Sequence, residues 1–156
     1  MPNIVYNTVN LKGSADYIKG VYEAAQRGTM FNHLIPMPDE IVKASAELTK
    51  QVRADTDIPL NFMSDDEYEW ATANWGTKWP PMNVELGDLK EDADDASFDL
   101  EFETAWNPPL PIYYHLRNKG CKVDAEWRAE IGNDDFDGSF TDERLTYTRT
   151  HEEVFD

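Results

Sequence analysis

Apolar and polar residues alternate along three stretches of this chain, and a period of two predicts a β-strand with one buried and one exposed face. The stretches are residues 3–11 (NIVYNTVNL), 98–106 (FDLEFETAW) and 121–131 (CKVDAEWRAEI). In the second and third stretches most of the polar positions are acidic. The pattern therefore predicts a sheet that packs on a core with one face and shows carboxylates with the other.

Helical spacing of apolar residues appears between these strands. Gly13 is expected to end the first strand, and Ser14 to cap a helix that runs to Gly28. A second helix is predicted over about 39–54. A third is predicted to begin at a capping box formed by Ser64 and Glu67.

The remaining segments receive coarser predictions. Residues 29–41 are expected to be extended and to lie against the body, because two prolines follow closely there. A short strand is predicted at 84–86, a charged hairpin loop at 90–97, and a short helix that ends at Gly120. After residue 131 we expect a hairpin and then a frayed tail at 151–156.

This order of elements favours an α+β fold with one domain over residues 1–150. Without a helical insertion at about 31–78, the elements read βαββαβ, the split βαβ plan of ferredoxin-like folds. Such an antiparallel sheet carries its helices on one face, so the other face can meet water. The C-terminal hairpin is an addition to that plan.

The net charge of the chain restricts the expected partners more than any other feature of its composition. The chain has 31 acidic and 14 basic residues, for a net charge of −17. This field repels nucleic-acid backbones and anionic membranes, so we expect neither as a partner. With a single cysteine no internal disulfide can form, and the sequence shows no secretory signal or apolar spanning run. These features predict a protein of the cytoplasm.

The predicted fold places the two acidic strands on either side of the first strand. Six carboxylates would then share the open face: Asp99, Glu101, Glu103, Asp124, Glu126 and Glu130. Folding does not require such a row of like charges. One interpretation is a DNA mimic that occupies the basic groove of a DNA-binding protein. The alternative is a solvated face that only prevents aggregation.

Other chemistry receives weaker support. The Asp-rich segment at 133–138 lacks the spacing of a calcium loop, and turn formation explains its composition equally well. The three histidines have no ligand spacing, and no nucleophile elbow or phosphate loop occurs. We therefore expect no metal, no cofactor and no enzymatic activity, with a metal-dependent enzyme as an alternative.

A tryptophan-rich segment offers a second candidate site. Two tryptophans flank a Gly–Thr turn in NWGTKWPP, and a third precedes NPP. They could line an aromatic pocket for a ligand or a nucleic acid, although core packing is the more common role of such residues. The candidate residues are Asn74, Trp75, Lys78, Trp79 and Trp106.

Four phrases in order resemble the YubB-type ferredoxin-like family, which phages and conjugative plasmids carry. They are MPN at 1–3, LIPMP at 34–38, NWGTKW at 74–79 and TAWNPP at 104–109. Ile4 and Val5 depart from the family, where an aromatic residue and a small residue or Cys are common. The resemblance implies the fold and a mobile-element origin, but no reaction. Together with the charge, it predicts an acidic interaction protein that blocks a basic host or mobile-element protein in the host cytoplasm, of the anti-restriction or anti-defence type.

Overall fold

The computed structural model of the protein describes residues 4–55, 65–129, 137–141, 145–147 and 153–154, which form an α+β fold. The helices are α1 (Ala15–Gln26), α2 (Met30–Leu34), α3 (Asp39–Asp55), α4 (Asp65–Asn74) and α5 (Leu110–Asn118). The strands are β1 (Ile4–Ser14), β2 (Met82–Leu86), β3 (Lys90–Asp92), β4 (Asp95–Ala105), β5 (Lys122–Ala129), β6 (Gly138–Phe140), β7 (Leu145–Tyr147) and β8 (Glu153–Val154).

All the strands belong to one antiparallel sheet with the order β2-β4-β1-β5-β6-β7-β8, and β3 extends the sheet as a second partner of β4. The long strand β1 lies at the centre between β4 and β5, as the sequence predicts. The pairing of β6 with β7 agrees with the predicted C-terminal hairpin.

The core lies between the helices and one face of the sheet. Alternate residues of β1, β4 and β5 are buried, because their apolar side chains pack against α1, α2 and α5. A cluster of three polar side chains sits within this core. The hydroxyl of Tyr113 donates to Asn7 Oδ1 at 2.8 Å, and Asn7 Nδ2 donates to Thr104 Oγ1 at 3.0 Å. These bonds satisfy polar atoms that burial would otherwise leave unpaired.

Gly13 does not end the first strand, contrary to the sequence-based prediction. β1 continues to Ser14, and Gly13 pairs with Ala96 of β4. A Cβ atom on Gly13 would lie 3.0 Å from Cys121 Sγ, so glycine serves close packing here. Ser14 does precede α1, but its side chain makes no capping hydrogen bond.

A segment predicted to be extended and a segment predicted as a hairpin loop both contain other regular structure. Residues 30–34 form α2, because Met30, Phe31 and Leu34 bury one helical face before the prolines begin. Residues 90–97 form the paired strand β3, a two-residue turn and the start of β4. Ala93 adopts a φ of 56° in that turn, the left-handed conformation that tight hairpins require.

The predictions for the remaining segments have different outcomes. The expectation of a frayed tail is wrong for Glu153–Val154, which pair with β7. α3, α4 and α5 agree with their predicted positions to within a few residues. Ser64 of the predicted capping box, residues 130–131 at the predicted end of β5, and Asn133 and Asp135 of the Asp-rich segment lie outside the described residues.

Candidate functional site

The exposed halves of β1, β4 and β5 form one continuous open face of the sheet. The alternation that buries the apolar residues turns the intervening polar residues to the opposite side. Of the six predicted acids, the structure places five on this face: Asp99, Glu101, Glu103, Asp124 and Glu126. Glu130 lies outside the described residues. All five are exposed except Glu103, which is half-buried.

Strand register aligns carboxylates across the sheet. Thr8 of β1 pairs with Glu101 on one side and with Glu126 on the other. Glu101 in turn pairs with Glu85 of β2. Three glutamates therefore share one cross-strand row, with the short Thr8 side chain between two of them. In the adjacent row, Asn10 pairs with Asp99 and with Asp124.

Glu85 is the main residue of the face that sequence reasoning missed. The predicted strand around 84–86 rests on two apolar residues, and their alternation already assigns Glu85 to the opposite side. Its register with Glu101 depends on an irregularity between Met82 and Glu85, where Asn83 has a φ of 49°. Such a bulge is not readable from the sequence pattern.

Among the described residues, most of these acids have no partner that neutralises them. Asn10 Nδ2 donates to Asp99 Oδ1 at 2.7 Å, and Asn83 Nδ2 donates to Glu103 Oε2 at 2.8 Å. Both donors are neutral. Within the described part of the chain, the other acids of the face accept no side-chain hydrogen bond and form no ion pair. They are Glu85, Glu101, Asp124 and Glu126.

The face is grooved rather than flat. Two shallow depressions of about 420 and 600 Å³ adjoin each other along β1. Both are lined by Thr8, Glu85, Glu101 and Glu126, so the two form a single trough. The trough exists because Thr8 on the central strand is shorter than its register partners Glu101 and Glu126 on the neighbouring strands. We call this trough the acidic groove.

Basic residues bound the acidic groove at both ends. At one end Arg128 lies over the ring of Tyr6, 5.5 Å from its centroid, beside Glu103. At the other end Lys12 and Lys122 are register partners, and both are exposed. The alternation of β5 assigns both Arg128 and Lys122 to the open face.

The candidate aromatic pocket is mostly packing. Trp75 is buried and donates from Nε1 to the Ile35 carbonyl at 2.8 Å. Trp79 is half-buried, with Nε1 3.2 Å from Met82 Sδ. Asn74 caps its own helix by donating to the Trp70 carbonyl at 2.9 Å. These contacts agree with the expectation that core packing is the commoner role.

Trp106 differs from the other members of that candidate pocket. Its side chain is 41% exposed, and its φ of 72° is rare for a non-glycine residue. Asn107 N donates to the Ala105 carbonyl at 2.9 Å, which makes Trp106 the apex of a strained γ-turn. Lys78 Nζ lies 5.3 Å from the centroid of its ring. The turn is held by Thr77, whose hydroxyl donates to the Ala105 carbonyl at 2.9 Å.

Two other reactive groups, Cys121 and His115, have pKa values that burial shifts. Burial raises the pKa of the Cys121 thiol, which leaves it protonated and weakly nucleophilic. Burial, with a smaller contribution from Lys119, lowers the pKa of His115. Across the described ranges, no three His, Cys, Asp or Glu side chains are arranged to hold a metal ion. In the same residues, no helix has the length and apolar character needed to cross a membrane.

Comparison with known proteins adds a structural relative. No protein-family model matches the chain, and no curated protein matches it. The fold is similar to that of the crystal structure of the protein api92 from Yersinia pseudotuberculosis, of the family model DUF1281, with a TM-score of 0.54 and 8% sequence identity. The match covers 100% of this chain and 98% of that one. At this identity the likeness establishes a shared fold alone.

Proposed function

We propose that this protein is a non-enzymatic interaction protein that binds a basic partner protein on the open face of its sheet. The observation that carries the proposal is the row of Glu85, Glu101 and Glu126 across three strands, exposed and without neutralising partners in the described residues. A basic partner would relieve the repulsion within this row when it binds, and the field of the face would speed its approach.

Solubility alone explains this arrangement less well. A sheet face stays soluble with Lys, Thr or a mixture of charges, and mixed charges avoid the cost of like charges in register. The face instead concentrates one sign of charge where a groove has formed, and it holds its basic residues at the groove ends. That distribution is typical of a surface that selects a partner by charge.

The same proposal covers the fold family and the origin of the protein. The strand order β2-β4-β1-β5 and the placement of α1 and α5 support the ferredoxin-like plan. Together with the sequence phrases that resemble the YubB-type family, this strand order supports the proposal that the protein comes from a phage or a conjugative plasmid. In the host cytoplasm it would act as a DNA mimic on a basic host or defence protein, for example a restriction complex.

The test is inhibition of DNA binding. Purified restriction complexes, nucleases and other DNA-binding proteins are assayed for DNA binding with and without this protein, at low and at high salt. We expect inhibition of at least one of them at low salt, weakening as salt rises. Glu101→Lys with Glu126→Lys should abolish it. Glu47→Lys, an exposed position on α3, has the same change of charge per residue and should retain it. Inhibition by none of them at low salt would refute the proposal.

A second candidate function is supported by Trp106. An exposed, strained tryptophan beside a lysine could stack on a base or on another planar ligand, as the alternative interpretation of the tryptophan-rich segment requires. Stacking depends less on salt than charge pairing does. Binding of a nucleotide or single-stranded oligonucleotide that survives high salt and is lost in Trp106→Ala would favour this function over the first.

A further inference from the structure

The turn that carries Trp106 is held on both sides by buried hydroxyl groups. Thr77 donates to the Ala105 carbonyl at 2.9 Å and accepts from the Ala105 N–H at 3.1 Å. Thr104 donates to the Asn107 carbonyl at 2.7 Å. Both threonines are buried, and Ala105 and Asn107 are the two neighbours of Trp106 in the chain. The backbone on each side of the exposed tryptophan is therefore fixed.

The hydroxyl of Thr104 also ends a chain of hydrogen bonds that crosses the core. It accepts from Asn7, and Asn7 accepts from Tyr113 of α5, so a continuous series of buried polar groups leads to the turn. Strained backbone persists only where the surrounding structure fixes it, and it is concentrated at functional sites such as ligand clamps. The turn therefore presents the indole ring of Trp106 in one orientation, which reduces the ordering cost of binding.

The chain segments around Trp106 contain no acidic residue. Asp and Glu make up 31 of the 156 residues, yet none occurs in residues 24–38, 70–81 or 104–121. We call these three segments the acid-free region. Their Lys and Arg residues are Arg27, Lys78, Arg117 and Lys119. All the side chains of the region that carry a full charge at neutral pH are therefore positive.

The fold brings the three acid-free segments together. α2 packs against α5, and Trp75 Nε1 donates to the Ile35 carbonyl at 2.8 Å. Gly76 lies so close to Pro111 that a Cβ atom on it would be 2.5 Å from Pro111 Cδ. Trp106 therefore lies within a part of the protein whose local charge is opposite in sign to the net charge of the chain.

The open face carries a comparable aromatic pair in the opposite electrostatic surroundings. Arg128 lies 5.5 Å from the centroid of the Tyr6 ring among the carboxylates, and Lys78 lies 5.3 Å from the centroid of the Trp106 ring in the acid-free region. Both rings are exposed, at 37% for Tyr6 and 41% for Trp106. An anionic ligand is repelled at the first pair and attracted at the second.

Resting on the second candidate function above, we propose that Trp106 and Lys78 form a site for a small planar anion of the nucleotide type. The base stacks on the exposed indole ring, and Lys78 Nζ pairs with the phosphate. Because Lys78 is exposed, its ammonium group can move from the indole ring to the phosphate when the base takes its place. The further phosphates of a long strand would meet the negative field of the whole chain, so a single nucleotide satisfies the site.

The experiment titrates the ¹⁵N-labelled full chain at low salt with adenosine monophosphate, adenosine and inorganic phosphate. The reporter is the indole N–H signal of Trp106, which is assigned by its loss in Trp106→Ala. We expect adenosine monophosphate to shift this signal and to bind about fivefold more tightly than adenosine, as one exposed charge pair contributes. At about 1 M salt the two affinities should become equal. Inorganic phosphate should leave the indole signal in place, because it has no ring to stack.

Two variants and two matched controls locate the site. Lys78→Gln should bind adenosine monophosphate only as tightly as adenosine, and Lys90→Gln, at an exposed lysine of β3, should keep the difference. Trp106→Ala should weaken adenosine monophosphate binding by at least about fivefold, followed at the Asn107 amide. Tyr6→Ala removes the exposed aromatic ring among the carboxylates and should bind as the wild type does.

The possible failures have distinct meanings. Equal affinity for adenosine and adenosine monophosphate at low salt, lost in Trp106→Ala, would overturn the anionic ligand and leave the stacking function standing. A steady gain in affinity with single-stranded oligoadenylates of increasing length would overturn the single nucleotide and identify a strand as the ligand. Absence of a shift at Trp106 with every probe, or binding that Trp106→Ala retains, would overturn both this inference and the second candidate function.

Discussion

Replacing Glu101 with Gln should stabilise the free protein, although Glu101 is central to the proposed interface. Glu85 lies directly across from it, at about 5 Å between Cβ atoms, where two charges in water repel by about 0.8 kcal/mol. Asp99 and Glu103 lie about 7 Å away along β4 and each add about 0.6 kcal/mol before screening. With a screening length of about 8 Å at about 0.15 M salt, the total falls to about 1 kcal/mol.

The assay is urea unfolding of the wild type and of Glu101→Gln at two salt concentrations. We expect the free energy of unfolding to rise by about 0.5–1 kcal/mol at about 0.15 M salt, because exposed side chains move apart and reduce the repulsion. At about 1 M salt the gain should fall to about 0.3 kcal/mol, since the screening length shrinks to about 3 Å. Gln at the exposed Glu47 of α3 is the matched control and should not stabilise the protein.

A loss of stability in Glu101→Gln at low salt would refute this reasoning. So would a gain that is unchanged at high salt, because that gain would come from packing rather than from relief of charge. Adding Glu85→Gln in a double-mutant cycle isolates the pair, and the coupling should be repulsive by about 0.4 kcal/mol at about 0.15 M salt.

Three further predictions concern the core and its turns. Tyr113→Phe should lower the free energy of unfolding by about 1–3 kcal/mol, because it leaves Asn7 Oδ1 buried without its donor. Tyr22→Phe is the control: it loses an exposed hydrogen bond to the Gly87 carbonyl and should lower the free energy of unfolding by less than about 1 kcal/mol in the same assay. Gly76→Ala should lower the thermal unfolding temperature of the protein by more than Gly28→Ala does. Both glycines have a positive φ, but a Cβ atom on Gly76 would lie 2.5 Å from Pro111 Cδ, whereas a Cβ atom on Gly28 would meet open space. Burial covers the Cys121 thiol and raises its pKa, so Cys121 should react with a thiol reagent far more slowly in the native protein than in urea. Equal rates in the two conditions would show that the thiol is accessible in the native protein.

The open face could be predicted from the sequence because it depends on a period of two. Once a strand at 98–106 is recognised, Asp99 and Glu101 must lie on the same side, whatever the details of the turn before them. The pairing of both acidic strands with β1 followed from the βαββαβ order, and the structure has that pairing. Strand periodicity and chain order together therefore gave the main surface.

What the sequence could not give depends on local geometry. The register of Glu85 with Glu101 results from a bulge, and the γ-turn at Trp106 from hydrogen bonds of Thr77, a residue distant in the chain. The continuation of β1 through Gly13 follows from the approach of Cys121, which appears only when the elements are packed. The groove itself depends on the short Thr8 lying between longer neighbours, which requires the cross-strand register to be known.

The account depends most on where a basic partner makes contact, and NMR can observe that directly. The ¹⁵N-labelled protein is titrated at low salt with a synthetic peptide rich in Lys and Arg, and the backbone amide shifts are mapped onto the sequence. We expect the largest changes at Thr8, Asn10, Glu101 and Glu126, reversed by high salt. Shifts confined to the helical layer, with those four amides unmoved, would contradict a binding role for the open face.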